Sequence, residues 1–324
     1  MSYSSRGTQA RPDNERKQIR ILQTRMVTGQ KQKENEMSNL KTIVRGAYDI
    51  QKNRIQTGNR IVGNFKAKLG LAPSQKEDKL DKAGQMVLQN LRRSHKLLTD
   101  GVAAFPRQST FKGDEVISDY TELCLVDNYL ELEQQEKSHF RRLGNILKDY
   151  PIYTEFLDGV IGVGPAMAGV IISEIDITKA EYPSSLHKYA GVDVAGDGQG
   201  RSRRAEHLED SEYEDKEGNI KTKKGITFNP FLKTKLTGVL GSSFIKQSPD
   251  KCKYRKIYDD YKHRIENMDA HKEKSKLHRH NMANRYMIKM FLIDLYNEWR
   301  KLEGLPVAPT YTEAKLGKVH GKAA

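Results

Sequence analysis

Phe156-Leu157-Asp158-Gly159-Val160-Ile161-Gly162-Val163-Gly164-Pro165-Ala166-Met167-Ala168-Gly169-Val170-Ile171-Ile172-Ser173 is the stretch on which the reading of this chain turns. It reads as two short helices joined by a tight turn at Gly162-Val163-Gly164. Glycine permits backbone angles that a side chain forbids. Pro165 fits the first position of the second helix, where its missing N–H costs nothing and its fixed φ helps. Ala166, Ala168 and Gly169 are small, so the two helices can approach closely. The second helix then begins with backbone N–H groups facing outward, a geometry that attracts phosphate through aligned dipoles and hydrogen bonds.

This is the pattern of a helix-hairpin-helix, a sequence-independent clamp on a nucleic-acid backbone. Gly162, Val163, Gly164 and Ala166 are its expected DNA contacts. The plainer alternative is an αα-corner with glycines at its turn, and a Gly-x-Gly alone does not separate the two.

The rest of the chain supplies context. It has 324 residues, a formal net charge of +14 and a pI near 9.5. An excess of this size calls for a polyanionic partner, with nucleic acid first and a membrane surface second. No apolar run is long enough to span a bilayer and the first residues carry no apolar leader, so no membrane is expected. Cys124 and Cys252 lie far apart, which fits a reducing cytoplasm and excludes a cysteine-built zinc site. Abundant Lys, Glu and Gln favour helix over sheet.

Four regions are expected. Residues 1–14 are polar and read as disordered. Residues 15–150 read as a helical, coiled-coil-like arm. Its apolar positions, Leu40, Ile43, Val44, Ala47, Ile50, Ile61 and Phe65 among them, recur at helical spacing. Gly29, Gly46, Gly58 and Gly63 predict several helices or kinks rather than one rod. Arg45, Lys52, Arg54, Arg60, Lys66 and Lys68 give the arm a basic face. A helix is predicted over 79–98 and a longer one over 114–148, on which Asp114, Glu115, Asp119, Glu122 and Asp127 read as a solvated acidic face.

Residues 151–304 read as a DNA-binding domain, and 305–324 as a tail. Within the domain, Pro183-Ser184-Ser185 starts a helix that Ser184 or Ser185 caps and Gly191 ends. Gly218-Asn219 marks a hairpin tip inside a charged insertion. Asn229-Pro230 starts a further helix bearing Lys233 and Lys235, two more expected DNA contacts. The fold class is therefore mainly α, with a small β-hairpin.

Chemistry-bearing patterns are few. The clustered His263, His271, His278 and His280 lack cysteine or carboxylate partners at ligand spacing and read as basic surface. Gly196-Asp197-Gly198-Gln199-Gly200 lacks the Lys-Ser/Thr of a nucleotide cradle. The run Gly198 to Arg204 says more. Flexible backbone beside Arg201, Arg203 and Arg204 can follow a phosphate chain and donate bidentate bonds. Ser202, between the arginines, is a candidate nucleophile toward a phosphodiester. Its plainer reading, a polar residue in a basic loop, is the commoner situation.

In order along the chain, Gly162-Val163-Gly164-Pro165, Ile172-Ser173-Glu174-Ile175, Leu186-His187-Lys188-Tyr189-Ala190-Gly191-Val192, the Gly/Arg loop and two helices resemble the C-terminal domain of the insertion sequence 110, 116 and 902 transposases. The likeness covers roughly residues 150–302. It implies a DNA-binding domain with a catalytic serine, acting in transposition and recombination on duplex DNA under a structured guide RNA. Lys188 enters the expected DNA contacts with this element. In the family an N-terminal RuvC-like domain supplies acidic metal ligands. The first half of this chain shows no such pattern, and where the family carries Ser-Gly this chain reads Asp197-Gly198, with Ser202 a few residues later. The expectation is a DNA-binding homo-oligomer that holds no cofactor itself and reaches Mg²⁺ and catalysis only through a RuvC-like partner. Two alternatives stand beside it: a non-catalytic architectural or regulatory DNA-binding protein, and an RNA-binding accessory protein.

Overall fold

The computed structural model of the chain describes residues 13–72, 81–102, 104–310 and 313–314, with side chains from Asn35 onward. The protein is mainly helical. The expected disordered start lies outside the described residues up to its last two positions, and most of the expected tail lies outside them too.

Three long elements build the first half. Helix α1 spans Asp13–Lys68, α2 Lys82–Thr99 and α3 Tyr120–Ile146. The kinked series expected over 15–69 is instead one helix. Each interior glycine costs about 1 kcal/mol of helix propensity, and burial offsets that cost around Gly46 and Gly63. Leu40, Val44 and Ala47 are buried before and just after Gly46; Ile61 and Phe65 are buried either side of Gly63. Gly58 serves the packing directly, since a Cβ there would meet Tyr129 at 3.0 Å.

Helices α1 and α3 run antiparallel. Arg54 pairs with Glu136, Gly58 faces Tyr129 and Lys68 reaches Glu122 at 2.9 Å, so positions rise on one helix as they fall on the other. These pairs change the reading of the arm. Arg45 binds Glu174 at 2.6 Å and its guanidinium lies 3.6 Å from the Phe231 ring centre. Arg45, Arg54 and Lys68 are therefore committed within the fold.

The acidic face predicted on 114–127 is also corrected. Helix α3 starts at Tyr120, later than expected, because Asp119 caps it and Glu122 closes the capping box. Glu122 is buried and held by Lys68. Asp114 lies outside the helix and accepts the N–H groups of Val116 and Ile117. Asp114 and Glu122 are thus drawn into the helix start, Asp127 meets His95 Nε2 at 3.0 Å, and only Glu115 and the capping Asp119 stay exposed.

Two apolar cores follow. The smaller joins Ile61, Phe65, Leu91, Ile117, Leu123 and Val126 across α1, α2 and α3. The larger runs from Leu40, Val44, Leu143 and Leu147 into the second half, crossing the 150/151 boundary without a break. At its centre lies α5, Pro165–Glu174. Gly169 sits so close to Leu143 and Val44 that a Cβ would meet them at 2.8 and 3.1 Å. Leu143 is fully buried at this three-helix contact. Leu143→Ala is expected to cost about 2–5 kcal/mol of unfolding free energy, read from denaturant midpoints at constant m-value.

Around α5 are packed α4 (Pro151–Glu155), α6 (Pro183–Tyr189), α7 (Pro230–Thr234), α8 (Gly241–Ile245), α9 (Lys253–Glu266) and α10 (Lys276–Leu302). A π-helical stretch, Lys235–Leu240, joins α7 to α8. Asn229 caps α7 by accepting from Phe231 and Leu232 N–H. Neither Ser184 nor Ser185 caps α6; Tyr182 occupies that position without a side-chain bond, and Pro183 follows as the first helical residue. The predicted hairpin is present: β1 (Glu209–Glu214) pairs antiparallel with β2 (Ile220–Gly225). Gly218, at φ +84°, turns its tip. No helix among the described residues is long and apolar enough to cross a membrane.

Candidate functional site

The loop from Gly191 to Leu208 is fixed from both ends. At its start Gly191 takes φ +63° as α6 ends, and a Cβ there would meet Phe228 at 2.7 Å, so only glycine fits. Val192 is buried. Val194 then bridges Gly200, with Ala195 N–H bonded to Gln199 O at 2.8 Å and Gly198 turning at φ +74°. Arg201 closes the turn by donating its backbone N–H to Asp193 O and its Nε–H to Asp193 Oδ2 at 2.7 Å.

Beyond Arg201, three side chains form a chain of hydrogen bonds. Ser202 Oγ lies 3.0 Å from His207 Nδ1, and His207 Nε2 lies 3.0 Å from Asp197 Oδ2. The Ser202 backbone N–H also donates to Nδ1 at 2.9 Å. An N–H can only donate, so Nδ1 accepts and the ring proton sits on Nε2, pointing at Asp197. His207 is buried and Ser202 partly so. Arg204 donates to Ser202 Oγ from its Nε at 3.1 Å and its backbone N at 3.3 Å. The His207 bond, with the Gln199 N–H behind it, holds the Asp197 carboxyl below the usual carboxylate range, so it stays anionic.

Beside this loop is a cleft of about 290 Å³. Gly198, Gly200 and Arg204 form one wall; Arg285, Lys289 and His278 from α10, and Lys274 before it, form another. Tyr261 and Tyr286 stack in its lining, centroids 4.1 Å apart and planes 12° apart. Gly200 lets the Arg285 guanidinium lie against the loop backbone, since a Cβ there would displace it. Behind the cleft Lys233 donates to Arg201 O.

This is a concentration of positive charge with little to balance it. Burial first, then the Arg285 charge, pushes the ammonium groups of Lys233 and Lys289 below the ordinary 10.5 of lysine; Asp193 only partly offsets this. Burial lowers Arg285 as well. A cavity that strains its own cations toward deprotonation is one that an anion relieves. Bound phosphate favours the charged lysines, so anion affinity should fall as pH rises through their lowered values, short of 10.5. Stability runs the other way. The folded state sheds these protons before the unfolded chain does, so they contribute unfolding free energy that grows with pH up to 10.5. Binding isotherms and melts between pH 7 and 10 check both signs.

The expected contacts separate into groups. Arg201, Ser202, Arg204 and Lys233 come together at this loop. Lys188 joins them only through Glu209, which it meets at 3.2 Å and which Arg201 meets at 3.3 Å. Arg203 is exposed. Lys235 is elsewhere, 3.4 Å from the Tyr48 ring centre on the α1 side. The Gly162 turn has its own neighbours, with Ser243 Oγ donating to Gly162 O at 2.7 Å and Cys252 Sγ to Ile161 O.

The sequence reading missed Arg285, Lys289, His207 and Asp193. Their sequence traces are slight: Arg285 and Lys289 are four apart on α10, and His207 and Asp197 lie five residues after and before Ser202, a spacing that marks no motif. Among the described residues no group of three His, Cys, Asp or Glu side chains could hold a metal ion. His280, from the histidine patch, takes the Tyr258 hydroxyl at 2.6 Å instead. No protein-family model, curated protein or solved structure matches this chain.

Proposed function

We propose that this protein binds the phosphate backbone of duplex DNA through the cleft between the Gly191–Leu208 loop and α10, and acts in DNA transposition or recombination. The observation that carries the binding is the cleft's gathered positive charge, with Arg204, Lys274, Arg285 and Lys289 in its lining and burial, then Arg285, lowering Lys289. The transposase reading rests on the resemblance over residues 150–302. Two finer elements belong to it. The α1–α3 pair is read as a coiled-coil-like arm suited to homo-oligomer assembly. The Gly162–Ala166 turn before α5 is read as a second, helix-hairpin-helix contact with phosphate, since α5 begins at Pro165 with Gly164 and Pro165 exposed.

On this reading strand exchange on duplex DNA draws on further groups from partners. Acidic metal ligands come from a RuvC-like partner, and a structured guide RNA selects the site. The chain itself supplies backbone binding and Ser202.

The test is duplex affinity against salt. Counterion release predicts that log K falls with log salt by about 0.9 per phosphate contact, with little dependence on sequence. A flat response at measurable affinity, or binding confined to structured RNA, defeats the proposal.

A further inference from the structure

We propose that His207 is the general base for Ser202, with Asp197 as its positioning carboxylate, so that this chain alone forms a covalent phosphoserine with an activated phosphodiester. The inference rests on the proposed reading of the cleft as a phosphate site and adds to it the groups that make Ser202 reactive.

The geometry carries it. A serine hydroxyl is a weak nucleophile until an adjacent base takes its proton and a third group orients that base. Ser202 Oγ and Asp197 Oδ2 flank the imidazole, 3.0 Å from His207 Nδ1 and 3.0 Å from His207 Nε2 respectively. Asp197 is itself fixed by Gln199 N–H at 2.8 Å. The Ser202 backbone N–H has already set the tautomer that leaves Nδ1 as acceptor. Because that N–H shares the Nδ1 lone pair, proton transfer exchanges one bond for the other. Arg204 lines the cationic cleft and donates its Nε–H to Ser202 Oγ at 3.1 Å, so one guanidinium links the cleft to the nucleophile, which stands just behind the lining.

The step balances without a redox partner. Ser202 Oγ attacks phosphorus, the Oγ–P bond forms, and the P–O bond to the leaving group breaks. The hydroxyl proton passes to His207 Nδ1, and Asp197 stabilises the resulting imidazolium. An aryl leaving group departs as phenolate; a nucleoside alkoxide would take the proton back from His207. Arg204 and Arg285 face the charge that builds on the pentacoordinate phosphorus.

The plainer alternative is a loop clasp, in which the same bonds merely hold 197–207 in place. The probe that separates them is the p-nitrophenyl ester of thymidine 5′-phosphate, whose leaving group needs no metal. Wild type is expected to release a burst of p-nitrophenolate and gain a thymidine phosphoryl group on the peptide containing Ser202. Ser202→Ala should show neither. His207→Gln should slow the burst about 100-fold and abolish the acid limb of its pH profile. Asp197→Asn, at an accessible side chain, should slow it by about tenfold and decides the matter if His207→Gln fails to fold by thermal melting. No adduct from wild type, or an adduct whose rate and pH profile are unchanged in the folded His207 or Asp197 variant, overturns the inference. The same preparations are titrated with duplex DNA. Salt-dependent binding without an adduct defeats the relay and spares the proposed function; an adduct without DNA binding does the reverse.

Discussion

The double variant Arg285→Met/Lys289→Met should lose about 100-fold or more in duplex-DNA affinity at moderate salt, while its thermal stability does not fall. The affinity estimate takes each charge-assisted bond to phosphate as worth roughly 1.5–3 kcal/mol. The log K–log salt slope should shrink by about 0.9 for each phosphate no longer neutralised. The stability expectation follows from the same charges. Arg285 is among the groups that lower Lys233 and Lys289, and it is itself largely desolvated. Methionine keeps an unbranched apolar stem and removes the charged guanidinium that lies against Gly200. Most substitutions at half-buried positions cost stability, so a variant that loses binding and keeps or gains its melting temperature marks residues held for a ligand. Equal affinity and salt slope in variant and wild type would place the DNA surface elsewhere.

What the sequence allowed one to read, and what it did not, divides along a physical line. Local signals served well. Gly191 ends α6, Asn229 caps α7, and Gly218-Asn219 turns the hairpin, because each depends on a few neighbouring residues. Long-range effects were not legible. Gly46, Gly58 and Gly63 predict breaks, yet α1 stays whole because α3 and α5 bury its apolar face. Glu122 looks like a surface acid until Lys68, more than fifty positions away, is seen beside it. The site shows the same division. Ser202 and its arginines are one short run. Arg285 and Lys289 reach the cleft from α10 and blend into an amphipathic helix, so no local pattern announces them. His207 was close in sequence to Ser202 but carried no recognisable spacing; only the fold turned its Nδ1 toward the hydroxyl.

The two glycines at the turn within residues 156–173 are expected to respond in opposite ways. Gly162 has φ +100°, and a Cβ there would meet Phe244 at 2.8 Å. Gly162→Val adds left-handed strain of about 1–3 kcal/mol to overpacking of a similar size. Phe244 cannot yield easily, since it is fully buried and stacks on Tyr254 at 4.7 Å. The expected loss is therefore about 3 kcal/mol or more, enough to unfold a marginal protein. Gly164 differs. Its φ is −101°, any residue can adopt it, and nothing lies within 4 Å of a Cβ there. The turn needs glycine at 162 and not, for folding, at 164. If the helix start of α5 meets a phosphate, the use of Gly164 is close approach by the ligand. Gly164→Val should then weaken duplex binding about tenfold and leave the unfolding midpoint within about 0.5 kcal/mol of wild type. Affinity and denaturant melts on the two variants measure both effects. Unchanged affinity in a folded Gly164→Val protein would reduce the turn to an αα-corner and leave the cleft at Arg285 as the DNA site.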